Sequence, residues 1–269
     1  MTNKVCIITG ASSGIGRALA FEMASHQYNV MLAARSNDAL NQVKDEVIAK
    51  YNVQITVCVT DVSVEEDCAT LIDETVKTFG RIDVLINNAG VSMRALFADV
   101  QLSVIKRLMD VNFWGTVYCT KYALPHITEM GGSIVGVTSI AGFHGLPGRC
   151  GYSASKFAMH GFLETLRIEN LKSGVHVLIA APSFTSSNVR KSALTADGSP
   201  QGFSPRNEKN MMTSEEVAHK IWRGIKYRKR NIILSLKGKI SVLLQRILPV
   251  MLDKLFYKAM AKEPDSPIK

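Results

Sequence analysis

The sequence predicts an α/β protein built on one doubly wound parallel sheet. Three observations carry that reading. Short apolar runs alternate with amphipathic stretches over the first 180 residues, a glycine-rich turn joins the first run to the first such stretch, and 269 residues suffice to bury one large core. Strand and helix in alternation imply right-handed βαβ units, with helices covering both faces of the sheet.

Val5–Thr9 is apolar throughout, as a strand buried on both faces should be, and Lys4 and Gly10 bound it. After the turn, a helix runs from Arg17 to about His26. Asn29–Ala34 is the second strand, and Ser36 caps a helix reaching about Lys50. Gln54–Val59 alternates as the third strand, with Ser63 as cap of a helix ending near Phe79. Asp83–Ile86 is the fourth strand, followed by one long helical region from about Leu102 to Met130. Ser133–Val137, a helix over Tyr152–Lys172 and the strand Val175–Ala181 complete the alternation. Trp114 reads as a core residue. Residues 183–212, rich in Ser, Asn, Gly and Pro, form the one long irregular stretch, a length that marks a lid or binding loop.

Composition narrows the function classes. The five cysteines, at 6, 58, 68, 119 and 150, form no short-spaced pair and no cluster with histidine. They read as reduced thiols of a cytoplasmic protein, with no metal site. The first strand starts too early to leave room for a secretory leader, and no run approaches the ~18 apolar residues of a membrane span. The net charge of +9 is concentrated: residues 217–262 hold twelve Lys/Arg and one acid, Asp253. That basic segment lacks the interleaved aromatics and recognisable modules of nucleic-acid binders, so no nucleic-acid partner is expected.

The chemistry lies in motifs at strand ends, where doubly wound sheets bind ligands. In Thr9-Gly10-Ala11-Ser12-Ser13-Gly14-Ile15-Gly16, Gly10 allows the tight turn. Gly14 lets the backbone approach a pyrophosphate, and Gly16 lets the helix pack against the strand. The helix N-terminus behind it presents N–H groups and a partial positive charge to phosphates. Tyr152-Ser153-Ala154-Ser155-Lys156 sets a phenol and an ammonium on one helix face. A nearby lysine cation, with a positively charged nicotinamide, is expected to lower the pKa of that phenol toward a usable acid–base range. Ser139, thirteen residues earlier at the end of the fifth strand, is placed to hydrogen-bond a substrate oxygen.

The G-x-x-x-G-x-G turn, Asn87-Asn88-Ala89-Gly90, Ser139 and Tyr-x-x-x-Lys in combination resemble the short-chain dehydrogenase/reductase family, over about residues 4–236. That resemblance implies a Rossmann fold and hydride transfer between a nicotinamide cofactor and a carbonyl or alcohol. It implies that Asp61 bonds the adenine amine and that Asn88, Ala89 and Gly90 line the adenine-ribose site. Asn112, by the same resemblance, bends its helix and holds a water beside Lys156, completing a proton relay from Tyr152 through the ribose hydroxyl. Pro182 and Thr185 match the segment that binds the carboxamide, with Ser183 where the family usually has glycine. Family members pair through two long helices, here 102–130 and 152–172, so a homodimer or homotetramer is expected.

Cofactor choice is read from the second strand's end, Ala33-Ala34-Arg35-Ser36. No acid stands there to bind a ribose 2′-hydroxyl, whereas Arg35 offers a planar fork to a 2′-phosphate, which favours NADP(H). The function that follows is an NADP(H)-dependent oxidoreductase acting on an apolar, lipid-like or steroid-like carbonyl or alcohol. The rival is an NADP-binding regulatory protein without turnover, although such proteins tend to lose the Tyr or the Lys. Residues 1–236 form the catalytic unit and 237–269 a basic amphipathic extension. In that extension Ile240, Leu243, Leu244, Ile247 and Met251, then Leu252, Leu255, Phe256 and Ala259, recur at helical spacing. The stripe suits peripheral contact of 237–262 with an anionic membrane, or packing on the body, over the substrate site or against a partner subunit.

Overall fold

The computed structural model describes residues 3–185, 188–204 and 211–268. Seven parallel strands form one sheet in the order β3-β2-β1-β4-β5-β6-β7. They are β1 (Val5–Thr9), β2 (Asn29–Ala34), β3 (Ile55–Val59), β4 (Val84–Asn87), β5 (Ser133–Val137), β6 (His176–Ala181) and β7 (Asn231–Ile233). The order in which successive strands are added reverses at the β1/β4 boundary, where Cys6 pairs with both Val30 and Val84. That boundary is the switch point at which such sheets open a ligand crevice.

One face is covered by α1 (Gly14–Ser25), α2 (Asn37–Ile48) and α7 (Ser214–Lys226), and its core holds Leu19, Leu32 and Ile221. The other is covered by α3 (Glu65–Phe79), α5 (Gly115–Met130) and α6 (Cys150–Glu169), around Leu71, Leu85 and Leu163. These faces account for the uninterrupted apolar runs of the central strands.

Local differences from the expected elements have physical causes. The helical region 102–130 is not uniform. It comprises α4 (Leu102–Leu108), a π-helical stretch Met109–Trp114 around Asn112, and α5. Ser36 caps α2 as expected, accepting from the Ala39 N–H at 3.4 Å. Ser63 does not cap α3: the helix starts with Val64 at its N-cap, and the Ser63 hydroxyl turns to donate to the Asp61 carboxylate at 2.7 Å, as its N–H does at 3.0 Å. Trp114 is not core: it is 43% exposed and stacks on Tyr118 at 5.6 Å. Ser186 and Ser187, and 205–210, in the expected binding loop lie outside the described residues.

Beyond β7 the chain folds into α8 (Leu236–Ile247) and α9 (Pro249–Ala261). Val242, Leu252 and Met260 are buried on the body, so part of the tail packs. Ile240, Leu243, Ile247, Met251 and Leu255, the larger part of the expected stripe, remain exposed. Among the described residues no helix is long and apolar enough to cross a membrane.

Candidate active site

A cleft of about 570 Å³ follows the carboxyl ends of β1, β2, β4, β5 and β6. Every residue expected at the site lines it except Asn112, which lies fully buried behind it.

The glycine turn shapes its floor. Gly10 and Gly14 adopt φ of +65° and +53°, in the left-handed region that glycine enters without strain. A Cβ added to Gly16 would sit 2.1 Å from the Gly10 carbonyl oxygen, so only glycine lets α1 start this close to the turn. Asn88 Nδ2 donates to the Thr9 and Gly10 carbonyls at 2.9 and 3.3 Å, and Thr9 Oγ1 accepts from the N–H groups of Asn88 and Ala89 at 3.0 Å each. These bonds join the ends of β1 and β4 into one rigid floor, with the α1 N-terminus opening onto it. The residues present therefore fit a dinucleotide's pyrophosphate.

At one end of the cleft, Arg35 and Ser36 follow β2 and Asp61 follows β3, with Arg107 reaching in from α4. Burial pushes the Asp61 carboxyl up. The Ser63 hydroxyl and N–H, with Arg35 and Arg107 nearby, outweigh that and hold it below the usual carboxylate range. Arg107 is a second cation at this end that no sequence motif marks.

At the other end, α6 presents Tyr152 and Lys156 one turn apart, with Ser139 at the close of β5. Ser139 Oγ accepts from the Ala141 N–H at 3.1 Å, which fixes its rotamer. Lys156 is buried, donates to the Val137 carbonyl at 3.1 Å, and lies 5.9 Å from the centre of the Tyr152 ring. Burial lowers its pKa to about 7. The Tyr152 phenol is raised above its ordinary value by loss of water, with Ser139 and Arg149 pulling the other way. The lowering expected from Lys156 together with a positive nicotinamide does not arise from the protein alone. The Lys156 ammonium is turned to Val137, and near neutrality about half of the lysine carries its charge.

Asn112 sits where the helix adopts its π-helical turn. Its Oδ1 accepts from Val91 N–H at 2.8 Å, and its Nδ2 donates to Val91 O at 3.0 Å and Ser155 Oγ at 2.9 Å. A Cβ on Gly90 would lie 3.1 Å from Asn112 Oδ1 and 3.6 Å from Lys156 Nζ, so that glycine lets the two side chains converge. Pro182 and Thr185 line the cleft at the end of β6. Ser183 does not take a left-handed backbone, and its hydroxyl donates to Ser235 Oγ, the α8 cap, at 2.7 Å. Ser92, Arg149 and Arg190 also line this end, unmarked by any sequence motif. His144 and His160 serve packing: His144 stacks on Phe256 with ring centres 4.7 Å apart, and His160 meets Thr138 Oγ1 at 2.9 Å. Among the described residues no side chains cluster as a metal site.

A doubly wound parallel sheet with a glycine turn at its switch point defines a dinucleotide-binding fold. The chain belongs to the short chain dehydrogenase family, whose model matches residues 4–197. It is 36% identical to an 11-beta-hydroxysteroid dehydrogenase-like protein of Arabidopsis thaliana over 259 residues, 95% of this chain and 81% of that protein. An 11-beta-hydroxysteroid dehydrogenase of Arachis hypogaea is 42% identical over 200 residues, 74% of this chain but 57% of that protein's length. Among solved structures, an alcohol dehydrogenase of the archaeon Thermococcus sibiricus complexed with 5-hydroxy-NADP superposes with a TM-score of 0.77 at 25% identity, covering 86% of this chain and 95% of the other. A short chain dehydrogenase/reductase of Burkholderia phymatum in complex with NAD shares the fold, with a TM-score of 0.83 at 24% identity over 93% and 95% of the two chains.

Proposed function

We propose that the protein is an NADP(H)-dependent oxidoreductase that interconverts an apolar carbonyl compound and its alcohol. The observation that carries the proposal is the convergence of Ser139, Tyr152 and Lys156 at one end of a cleft whose floor is the glycine turn. When bound, the nicotinamide cofactor supplies or accepts the hydride. Tyr152 Oη gives a proton to the substrate oxygen in reduction and takes it back in oxidation. Ser139 Oγ orients that oxygen. Lys156 Nζ, poised near neutrality, holds the site's positive charge beside the phenol, and Asn112 positions the backbone at Val91 and the helix carrying Lys156 through Ser155. Gly10, Ser12, Ser13, Gly14, Ile15 and Gly16 hold the pyrophosphate, Asp61, Asn88, Ala89 and Gly90 the adenosine half, and Pro182 and Thr185 the carboxamide. Two guanidiniums, Arg35 and Arg107, at the adenosine end support a 2′-phosphate, and hence NADP(H) over NAD(H). The relatives named as hydroxysteroid dehydrogenases support a steroid-like or lipid-like substrate. The test is loss of the NADPH band near 340 nm with a panel of steroid, aromatic and aliphatic ketones. A wild type that binds NADPH but reduces none of them would favour the regulatory alternative.

The catalytic unit in this reading is 1–236, working in the cytoplasm as a homodimer or homotetramer. Exposed Trp114, Phe157 and Ile168 on the helices 102–130 and 152–172 support that pairing face. A second reading concerns 237–262. Exposed Ile240, Leu243, Ile247, Val250 and Leu255 lie among Lys237, Lys239, Arg246, Lys254, Lys258 and Lys262, with one acid, Asp253. An apolar stripe ringed by cations suits peripheral docking on an anionic bilayer. Full-length protein should then pellet with phosphatidylserine vesicles and release as salt rises. A protein that stays in the supernatant at low salt removes this reading.

A further inference from the structure

The tail makes a buried ionic contact that the catalytic scheme does not use. Arg94, four residues after Gly90, is buried, and its guanidinium donates to the carbonyls of Asp265 and Pro264 at 3.0 and 2.9 Å and meets Glu263 Oε2 at 3.4 Å. Both side chains of the ion pair are almost inaccessible, at 5% and 7%. Among the described residues Arg94 Nε is buried with no hydrogen-bond partner, and the guanidinium's partners are the three tail oxygens.

The backbone around Arg94 is a junction of the substrate end of the cleft. Arg94 N–H donates to Leu194 O at 2.8 Å, Leu194 N–H to Ser92 O at 2.8 Å, and Ala95 N–H to Gly148 O at 3.0 Å. Arg149 Nη1 adds bonds to Ser92 Oγ at 2.6 Å and Met93 O at 3.1 Å. Ser92, Arg149 and Leu194 all line the cleft. The tail also braces the neighbouring loop directly. A Cβ on Gly148 would meet Met260 Cε at 2.6 Å, and His144 Nε2 lies 3.3 Å from Ser241 Oγ.

We propose that Arg94 and residues 263–265 form a latch that positions the strip 92–95, and with it the substrate wall made by Ser92, Arg149 and Leu194. Arg94 touches neither cofactor floor nor reacting atoms, so it is a positioning residue. The wall of the cleft is set from the far end of the chain, and loss of the latch loosens substrate binding while the glycine turn and the Tyr152–Lys156 pair keep their geometry. The inference rests on the oxidoreductase reading for its kinetic arm only.

The experiment compares the full-length wild type with Arg94→Met, Arg94→Lys, Glu263→Gln and a chain ending at Lys262. Amide hydrogen exchange is followed with and without NADPH. In Arg94→Met and the shortened chain, exchange at Arg94, Ala95 and Leu194 should quicken by about tenfold or more, the equivalent of one lost charge-assisted hydrogen bond, with β1 and β4 unchanged. KM for the best ketone of the panel, an 11-oxo steroid included, should rise by a similar factor, while KM for NADPH stays within about twofold of wild type. Arg94→Lys should recover part of the effect, and Glu263→Gln should loosen the strip less than Arg94→Met, because it keeps the two carbonyl acceptors but removes the buried counter-charge. Unchanged exchange at 94, 95 and 194 overturns the latch. So does exchange that quickens equally in β1, which marks general destabilisation, or local loosening without a change in ketone KM. Should the wild type reduce no ketone, the oxidoreductase reading fails, and the exchange arm still decides whether the latch exists.

Discussion

Lys156 is a buried amine kept at a pKa of about 7 by loss of water, against an ordinary value of 10.5. Its burial should therefore cost stability wherever the unfolded chain would hold the proton that the folded chain resists. Between those two pH values the unfolded state binds more protons, so stability rises with pH there. The penalty is complete below about pH 7 and gone above about pH 10.5. At about 1.36 kcal/mol per pH unit, the Lys156 contribution should change by roughly 3–4 kcal/mol between pH 7 and pH 10. Replacing Lys156 by Met removes this term and also orphans the Val137 carbonyl, at a pH-independent cost of about 1–3 kcal/mol. The variant should be more stable than wild type near pH 7 by on the order of 1–3 kcal/mol, and should lose that advantage as pH approaches 10. Urea unfolding of both proteins at several pH values reads the difference directly, because every other titrating group is common to both. A stability difference that does not vary over that range would show that Lys156 is not desolvated as argued, and the account of a lysine poised for the reaction would fall with it.

Arg35→Ala should raise KM for NADPH by roughly 10- to 150-fold, about 1.5–3 kcal/mol, and leave KM for NADH nearly unchanged. A wild type that uses both cofactors equally would defeat the assignment. Gly16→Ala places a methyl group against the Gly10 carbonyl, a backbone atom that cannot swing aside. It should cost at least about 1–3 kcal/mol and abolish the rise in Tm that NADPH gives the wild type; a normal NADPH-induced shift in the variant would contradict the cradle. Light scattering at micromolar concentration should show a dimer or tetramer, and a monomer would remove the pairing face.

The parts of the fold set by local signals were legible in the sequence. Six strands were readable from apolar runs, and the seventh, Asn231–Ile233, was not. It is three residues at the sheet edge, preceded by Arg228, Lys229 and Arg230, and nothing in so short a run sets it apart from a basic loop. The site residues were legible where spacing itself carries chemistry, as in the glycine turn and Tyr-x-x-x-Lys. Arg107, Arg149 and Arg190 gave no such signal, because long-range folding alone brings them to the cleft. The Ser63 cap failed for a related reason: the helix starts one residue later, at Val64, and the Asp61 carboxylate two residues back draws the Ser63 hydroxyl toward itself. Helical spacing identified the tail's apolar positions but not their direction. Val242 and Leu252 face the body while Ile247 and Leu255 face outward, and Arg94, 170 residues or so earlier in the chain, is what holds the tail's end.

The central claim is that Tyr152 moves the proton at a site that binds cofactor without it. Steady-state turnover and NADPH affinity of Tyr152→Phe, measured on the same preparation as wild type, test it most directly. The substitution removes one oxygen from a ring packed among Met93, Val104 and Leu108 and leaves the glycine turn untouched. Turnover should fall by several orders of magnitude, on the order of 10³-fold or more, while the NADPH dissociation constant stays within about twofold. Near-normal turnover in Tyr152→Phe, or turnover and NADPH binding lost together, would contradict the mechanism.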